Sequence, residues 1–141
     1  MRDLSEELKE AYLNTEYLIA LDSGELNIRI GRYKPDMEAV LTAYQVSVAA
    51  FLTACNPRSQ RQPEPRNRAA SERLVARVSE LGLSALQGRG HDPTGKWPDE
   101  QSLLVLGINQ EEAHELACEY EQNAFVMLKK GAAPELVWTK F

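Results

Sequence analysis

The sequence predicts a mixed α/β domain of the α+β kind: one central sheet, a hairpin towards each end of the chain and about four helices, all in a single unit spanning residues 1–141. Three observations carry this. Apolar residues recur at helical spacing in separated segments, short branched or alternating runs lie between them, and turns rich in glycine and proline divide the two kinds. The length suits one core, because a chain of this size buries about two thirds of the surface it exposes when extended. With 43% hydrophobic and 26% charged residues, general disorder is excluded.

Asp3 and Glu6 have the spacing of a capping box, and Leu4, Leu8, Ala11 and Tyr12 follow on one helical face. In "TEYLIALDSGELNIRIG", Leu26, Ile28 and Ile30 alternate with Asn27 and Arg29, and Gly24 supplies the positive φ of a tight turn, so the segment is a hairpin. Pro35 opens a short helix carrying Met37, Val40, Leu41 and Tyr44. "VSVAAFLTA", residues 46–54, is an unbroken small-and-branched run that suits a strand buried on both faces, and it is the expected central strand. "CNPRSQRQPEP" has strong turn formers and no periodicity, which makes it a surface loop. Pro65 then begins a helix with Ala70, Leu74, Val78 and Leu81 inward, and Gly82 ends it. Asn67 falls on that inward side. "GRGHDPTGKWPDEQS", residues 88–102, reads as an irregular polar loop before the buried strand "SLLVLGI". Asn109 and Glu112 make a second N-cap pair, with Ala113, Leu116, Ala117 and Tyr120 on one face. "NAFVML" and "LVWTKF" close the chain as an edge hairpin around Gly131–Pro134.

A net charge of −5 opposes nucleic-acid binding, which needs clustered Lys and Arg to displace counterions. Arg58, Arg61, Arg66 and Arg68 are the local exception: they could meet a small anion or simply decorate a solvated loop. Cys55 and Cys118 are too few for a disulfide framework, no run approaches the ~20 apolar residues that span a bilayer, and the acidic start is unlike a signal peptide; a cytoplasmic protein with reduced thiols is expected. His91 beside Asp92 could be an oriented base. Cys55 with His91 could form a nucleophilic dyad, although a thiol at the end of a buried strand is more often structural. His114 and Cys118 lack further metal ligands, so no metal is expected, and no pattern names a cofactor. "GRGHDPTGK" lacks phosphate-loop spacing.

If the loops at 55–67 and 88–102 meet at one edge of the sheet, they form a pocket rim. Asn56, Ser59, Asn67, Ser102, Gln122 and Asn123 would hydrogen-bond a ligand there. Gly88 and Gly90 would let it approach the backbone, Trp97 would give a flat wall, and Glu100 or Asp92 could act as acceptor or base, Glu100 being the favoured acid–base group of any chemistry. Asn123 also suits the left-handed end of a helix.

"FLTACNPRS", "GRGHDPTGKWPDEQSLLVLGI" and "EQNAFVML", with Asn67 between them, resemble the domain-of-unknown-function family 3293, a group of short bacterial proteins. The resemblance runs from "AYLNTEY" to "NAFVM" and matches at Thr53, Ala54, Asn56, Pro57, Ser59, Asn67, Gly88, Gly90, Trp97, Glu100, Ser102, Gln122, Asn123 and Ala124. The arginine that the family places a few residues after the helix Asn has no direct counterpart; Arg68 and Arg73 flank the place. What the resemblance implies is a shared polar site, with no activity attached.

Two functional expectations follow. The first is a pocket for a small polar or anionic metabolite, nucleotides included. The second is a protein-interaction module in which exposed loops and the C-terminal edge strand dock a partner while the polar motif braces the fold.

Overall fold

The computed structural model describes the backbone of residues 4–139 and side chains from residue 6 to 139, so the Asp3 cap, the Leu4 side chain, Lys140 and Phe141 lie outside the described residues. The elements run in the order α1 (Leu4–Asn14), β1 (Glu16–Leu21), β2 (Gly24–Ile28), α2 (Pro35–Ala43), β3 (Val48–Thr53), α3 (Glu64–Glu80), β4 (Ser84–His91), β5 (Glu100–Leu106), α4 (Gln110–Glu119), β6 (Ala124–Lys129) and β7 (Glu135–Trp138). The strands form one sheet in the order β2-β1-β4-β5-β3-β6-β7, and every neighbouring pair is antiparallel. With its helices segregated from a wholly antiparallel sheet, the chain is an α+β domain.

Strand alternation gives the sheet two apolar faces. Ala50 and Leu52 of β3, Leu103 and Val105 of β5, and Phe125 and Met127 of β6 pack against Ala70, Leu74 and Val78 of α3 and Ala113, Leu116 and Ala117 of α4. The opposite face joins Tyr17, Ile19, Leu26, Ile28, Phe51, Leu104 and Val126 to Met37, Val40 and Leu41 of α2. The sheet curls around this second face until its edges approach: the amide of Gly31, just after β2, donates to the Pro134 carbonyl before β7 at 2.8 Å. β3 is buried on both faces as its composition requires, but β5 holds the middle of the sheet.

The local signals explain most boundaries. Gly24 sits at φ +132 in the first hairpin, although β2 stops at Ile28, short of Ile30. Gly82, at φ +73, ends α3, leaving Leu81 39% exposed rather than inward. Asn109 and Glu112 make the reciprocal cap of α4, at 2.8 and 3.2 Å.

Residues 88–102 are not one loop. Gly88–His91 complete β4, Glu100–Ser102 begin β5, and only 92–99 connect them, with Gly90 opposite Glu100 and Gly88 opposite Ser102. Gly88 stands in the strand for packing: a Cβ there would lie 2.8 Å from the Leu18 carbonyl oxygen and 2.8 Å from Phe51 Cε2.

Candidate functional site

Because β3 and β5 are antiparallel with Thr53 opposite Ser102, the end of β3 and the start of β5 lie together. This brings the 55–67 segment and the 92–99 loop to the same end of the curl, where α1 covers them. They enclose a cavity of about 350 Å³, within the range of small-molecule pockets.

Glu100 opens β5 inside this cavity. Its Oε2 accepts from Asn56 Nδ2 at 2.7 Å, and its Oε1 has no partner among the described residues. Burial pushes the Glu100 carboxyl above the ordinary glutamate range, and the Asn56 hydrogen bond offsets part of that rise. Asn56 is 4% exposed and left-handed (φ 49, ψ 62), a conformation asparagine tolerates better than most residues. Its Oδ1 accepts from Asn67 Nδ2 and the Gln62 amide, each at 3.0 Å, and its own amide donates to Asn67 Oδ1 at 2.8 Å. The Asn56 carboxamide is therefore locked with its NH₂ towards Glu100.

Beyond Pro57, Arg58 and Ser59 are left-handed again, at φ 58 and φ 59. The turn is pinned from outside: the Arg58 amide donates to the Glu121 carbonyl at 2.7 Å, Asn123 Nδ2 to Ser59 Oγ at 2.8 Å, and Gln122 Nε2 to the Cys55 carbonyl at 3.0 Å. The left-handed helix end expected at Asn123 falls instead on Glu121, at φ 53, which frees the Asn123 side chain to reach Ser59.

Across the cavity, burial pushes the Tyr12 hydroxyl of α1 up to about 12; a bond to Ser59 counters this, the Glu100 charge adds to it, and the Ala124 backbone counters it. Burial, with a contribution from Tyr12, also holds the Tyr17 phenol well above its ordinary range; its hydroxyl donates to the Tyr12 carbonyl at 3.1 Å. Both phenols are thus neutral. Tyr17 packs edge-on against Phe51, and Tyr12 against Trp138.

The 92–99 loop is built on Asp92, whose carboxylate accepts from Thr94 N, Thr94 Oγ1 and Trp97 N at 2.9, 2.7 and 3.2 Å. These bonds hold Asp92 below the ordinary carboxylate range. Its base is closed by His91 Nδ1 against Asp99 Oδ1 at 2.7 Å, so the carboxylate that orients His91 is Asp99 and not Asp92. Trp97 forms the rim, 44% exposed, with the Arg61 guanidinium 5.7 Å from its ring centroid.

Of the residues expected at the site, Asn56, Ser59, Gly90, Trp97, Glu100, Ser102 and Gln122 line the cavity. Asn67, Gly88 and Asn123 stand behind it: Asn67 fixes Asn56, Asn123 fixes Ser59, and Gly88 makes room for Phe51. Sequence reasoning missed Tyr12, Tyr17 and Thr53 as cavity residues; the one signal was a phenol on each of two otherwise apolar faces. The loop arginines do not form a joint anion site, since Arg58 pairs with Glu121 and Arg68 with Glu64. Cys55 Sγ is turned to Ser71 Oγ and the Gln101 carbonyl, away from His91. His114 and Cys118 face each other at 3.7 Å, and no group of three His, Cys, Asp or Glu among the described residues could hold a metal.

Fold and site together define a small α+β domain whose curled antiparallel sheet encloses a cavity around one half-buried carboxylate. Over residues 52–125, more than half of its length, the chain matches the family described as "Protein of unknown function (DUF3293)", and it belongs to that family. No curated protein and no solved structure matches it. The matched span runs from β3 into β6 and holds every expected site residue, whereas Tyr12 and Tyr17 lie before it.

Proposed function

We propose that this chain binds a small polar molecule in the cavity between the 55–67 segment, the 92–99 loop and α1, with Glu100 as its principal hydrogen-bonding and acid–base group. The observation that carries the reading is the accessible, unpartnered Oε1 of a carboxylate otherwise fixed by Asn56. Retaining a partly desolvated ionisable group with spare acceptor capacity costs stability, and such groups concentrate at functional sites. Burial also raises the Glu100 carboxyl pKa, the kind of perturbation that candidate acid–base groups show. The anionic and nucleotide forms of the reading draw no support from the loop arginines, two of which are internally paired.

A second reading, a docking module with a purely bracing motif, has one observation in its favour: the amides of Asn56, Asn67, Gln122 and Asn123 are all engaged within the chain. A thermal-shift screen of amino acids, amines, nucleotides and sugar phosphates separates the two. A ligand at 100 times its Kd stabilises by about 2.7 kcal/mol, which moves Tm by several degrees. A shift lost in Glu100→Gln supports the pocket; a flat screen supports docking. Among the described residues no helix is long and apolar enough to cross a membrane. Cys55 and Cys118 form no disulfide, and a reduced, cytoplasmic setting is what we infer.

A further inference from the structure

We propose that the cavity takes a small organic cation, an amine or methylated ammonium, with its charge against Glu100 Oε1 and its alkyl surface against the aromatic walls. This rests on the cavity being a ligand site, and it names the ligand's class.

Charge pairing is the first argument. Glu25 and Asp99 share Arg89, Glu121 has Arg58, Glu64 has Arg68, and Glu119 has Arg77. These are exposed carboxylates, yet each has a guanidinium. Glu100, half-buried in the cavity, has only the neutral amide of Asn56. A desolvated carboxylate gains most from an opposite charge brought into the same low-dielectric space, and an entering ammonium supplies it.

The lining makes the second argument. Glu7 and Asp92 line the cavity with Glu100, while Lys96 is the one cation among its described lining residues. An anion would face that excess of like charge; a cation is drawn in by it. The third argument is the walls. Tyr12, Tyr17, Phe51 and Trp97 line the same cavity as the carboxylate, and aromatic faces attract ammonium groups most strongly where water is excluded. Trp97 already acts this way at the rim, with the Arg61 guanidinium over its ring. A volume of about 350 Å³ limits the occupant to a molecule of modest size.

The test is titration of the ¹⁵N-labelled chain with choline, butylamine, the uncharged tert-butyl isostere of choline, inorganic phosphate and adenosine monophosphate, following the amides of Thr53, Ser59, Gly90 and Glu100. Choline or butylamine is expected to shift these amides saturably. Glu100→Gln is expected to weaken binding about tenfold or more, the loss typical of a charge-assisted hydrogen bond. Trp97→Ala, at the exposed rim, should weaken choline more than butylamine. Should Glu100→Gln fail to fold, Trp97→Ala and the isostere decide: an isostere as tight as choline overturns the proposal, as does unchanged choline binding in a folded Glu100→Gln. If phosphate, the nucleotide or the isostere shifts these amides while the amines do not, the cation class falls and the pocket stands. If no probe moves them, both readings fall.

Discussion

Asp99 and Glu100 are adjacent carboxylates whose pKa values move in opposite directions. Burial pushes Asp99 up, but its bonds to His91 and Arg89 outweigh that and hold it below the ordinary range; burial of Glu100 is offset only in part by Asn56. Between the ordinary glutamate range and its raised folded value, Glu100 keeps in the folded chain a proton that the unfolded chain has lost. Its stabilising contribution is therefore present at low pH and is lost as pH rises through the folded pKa. Urea denaturation across that window should show wild type losing stability relative to Glu100→Gln as pH increases. Asp99 gives the opposite slope: its contribution is present above the ordinary aspartate range and disappears on acidification. Asn56→Ala should cost about 1–3 kcal/mol by orphaning its buried partners, read as a lower urea midpoint. The polar side of the site was legible in the sequence because Asn56 and Glu100 interrupt apolar runs. The tyrosines were not, since an aromatic at helical or alternating spacing reads as core, and only the tertiary fold shows that Tyr12 and Tyr17 line a cavity.

At the scale of elements, β4 shows how a strand can hide. Its glycines read as loop because they carry no apolar pattern, yet each is opposite a β5 residue in regular register. Two substitutions separate packing from space. Gly88→Ala drives a methyl against the Leu18 carbonyl and Phe51, so it should destabilise by about 1–3 kcal/mol. Gly90→Ala meets nothing nearer than Thr15 Cγ2 at 3.8 Å, so its effect on denaturation should stay within about 0.5 kcal/mol. The connection between β4 and β5 is organised by one carboxylate; Asp92→Ala should speed hydrogen exchange at the Thr94 and Trp97 amides while leaving the urea midpoint close to wild type. Helix ends were the most readable features, because Gly82 and the Asn109–Glu112 pair act through a few local atoms.

Strand order in the whole molecule was beyond sequence reading, because alternation says which face a residue takes and nothing about its neighbour. β3 is the informative case: it lies between β5 and β6, both later in the chain. Hydrogen exchange should be slowest in β3 and β5, which are covered on both faces, and fastest in α1 and β7 at the margins. The placement of β3 also orders assembly in time. The β1–β2, β4–β5 and β6–β7 hairpins can each form from nearby residues, whereas β3 must wait for two partners synthesised after it. Closing such long loops is slow. The Asn56–Glu100 bond spans that same late pairing, so in refolding kinetics the cavity should appear after the hairpins, with the arrival of β3.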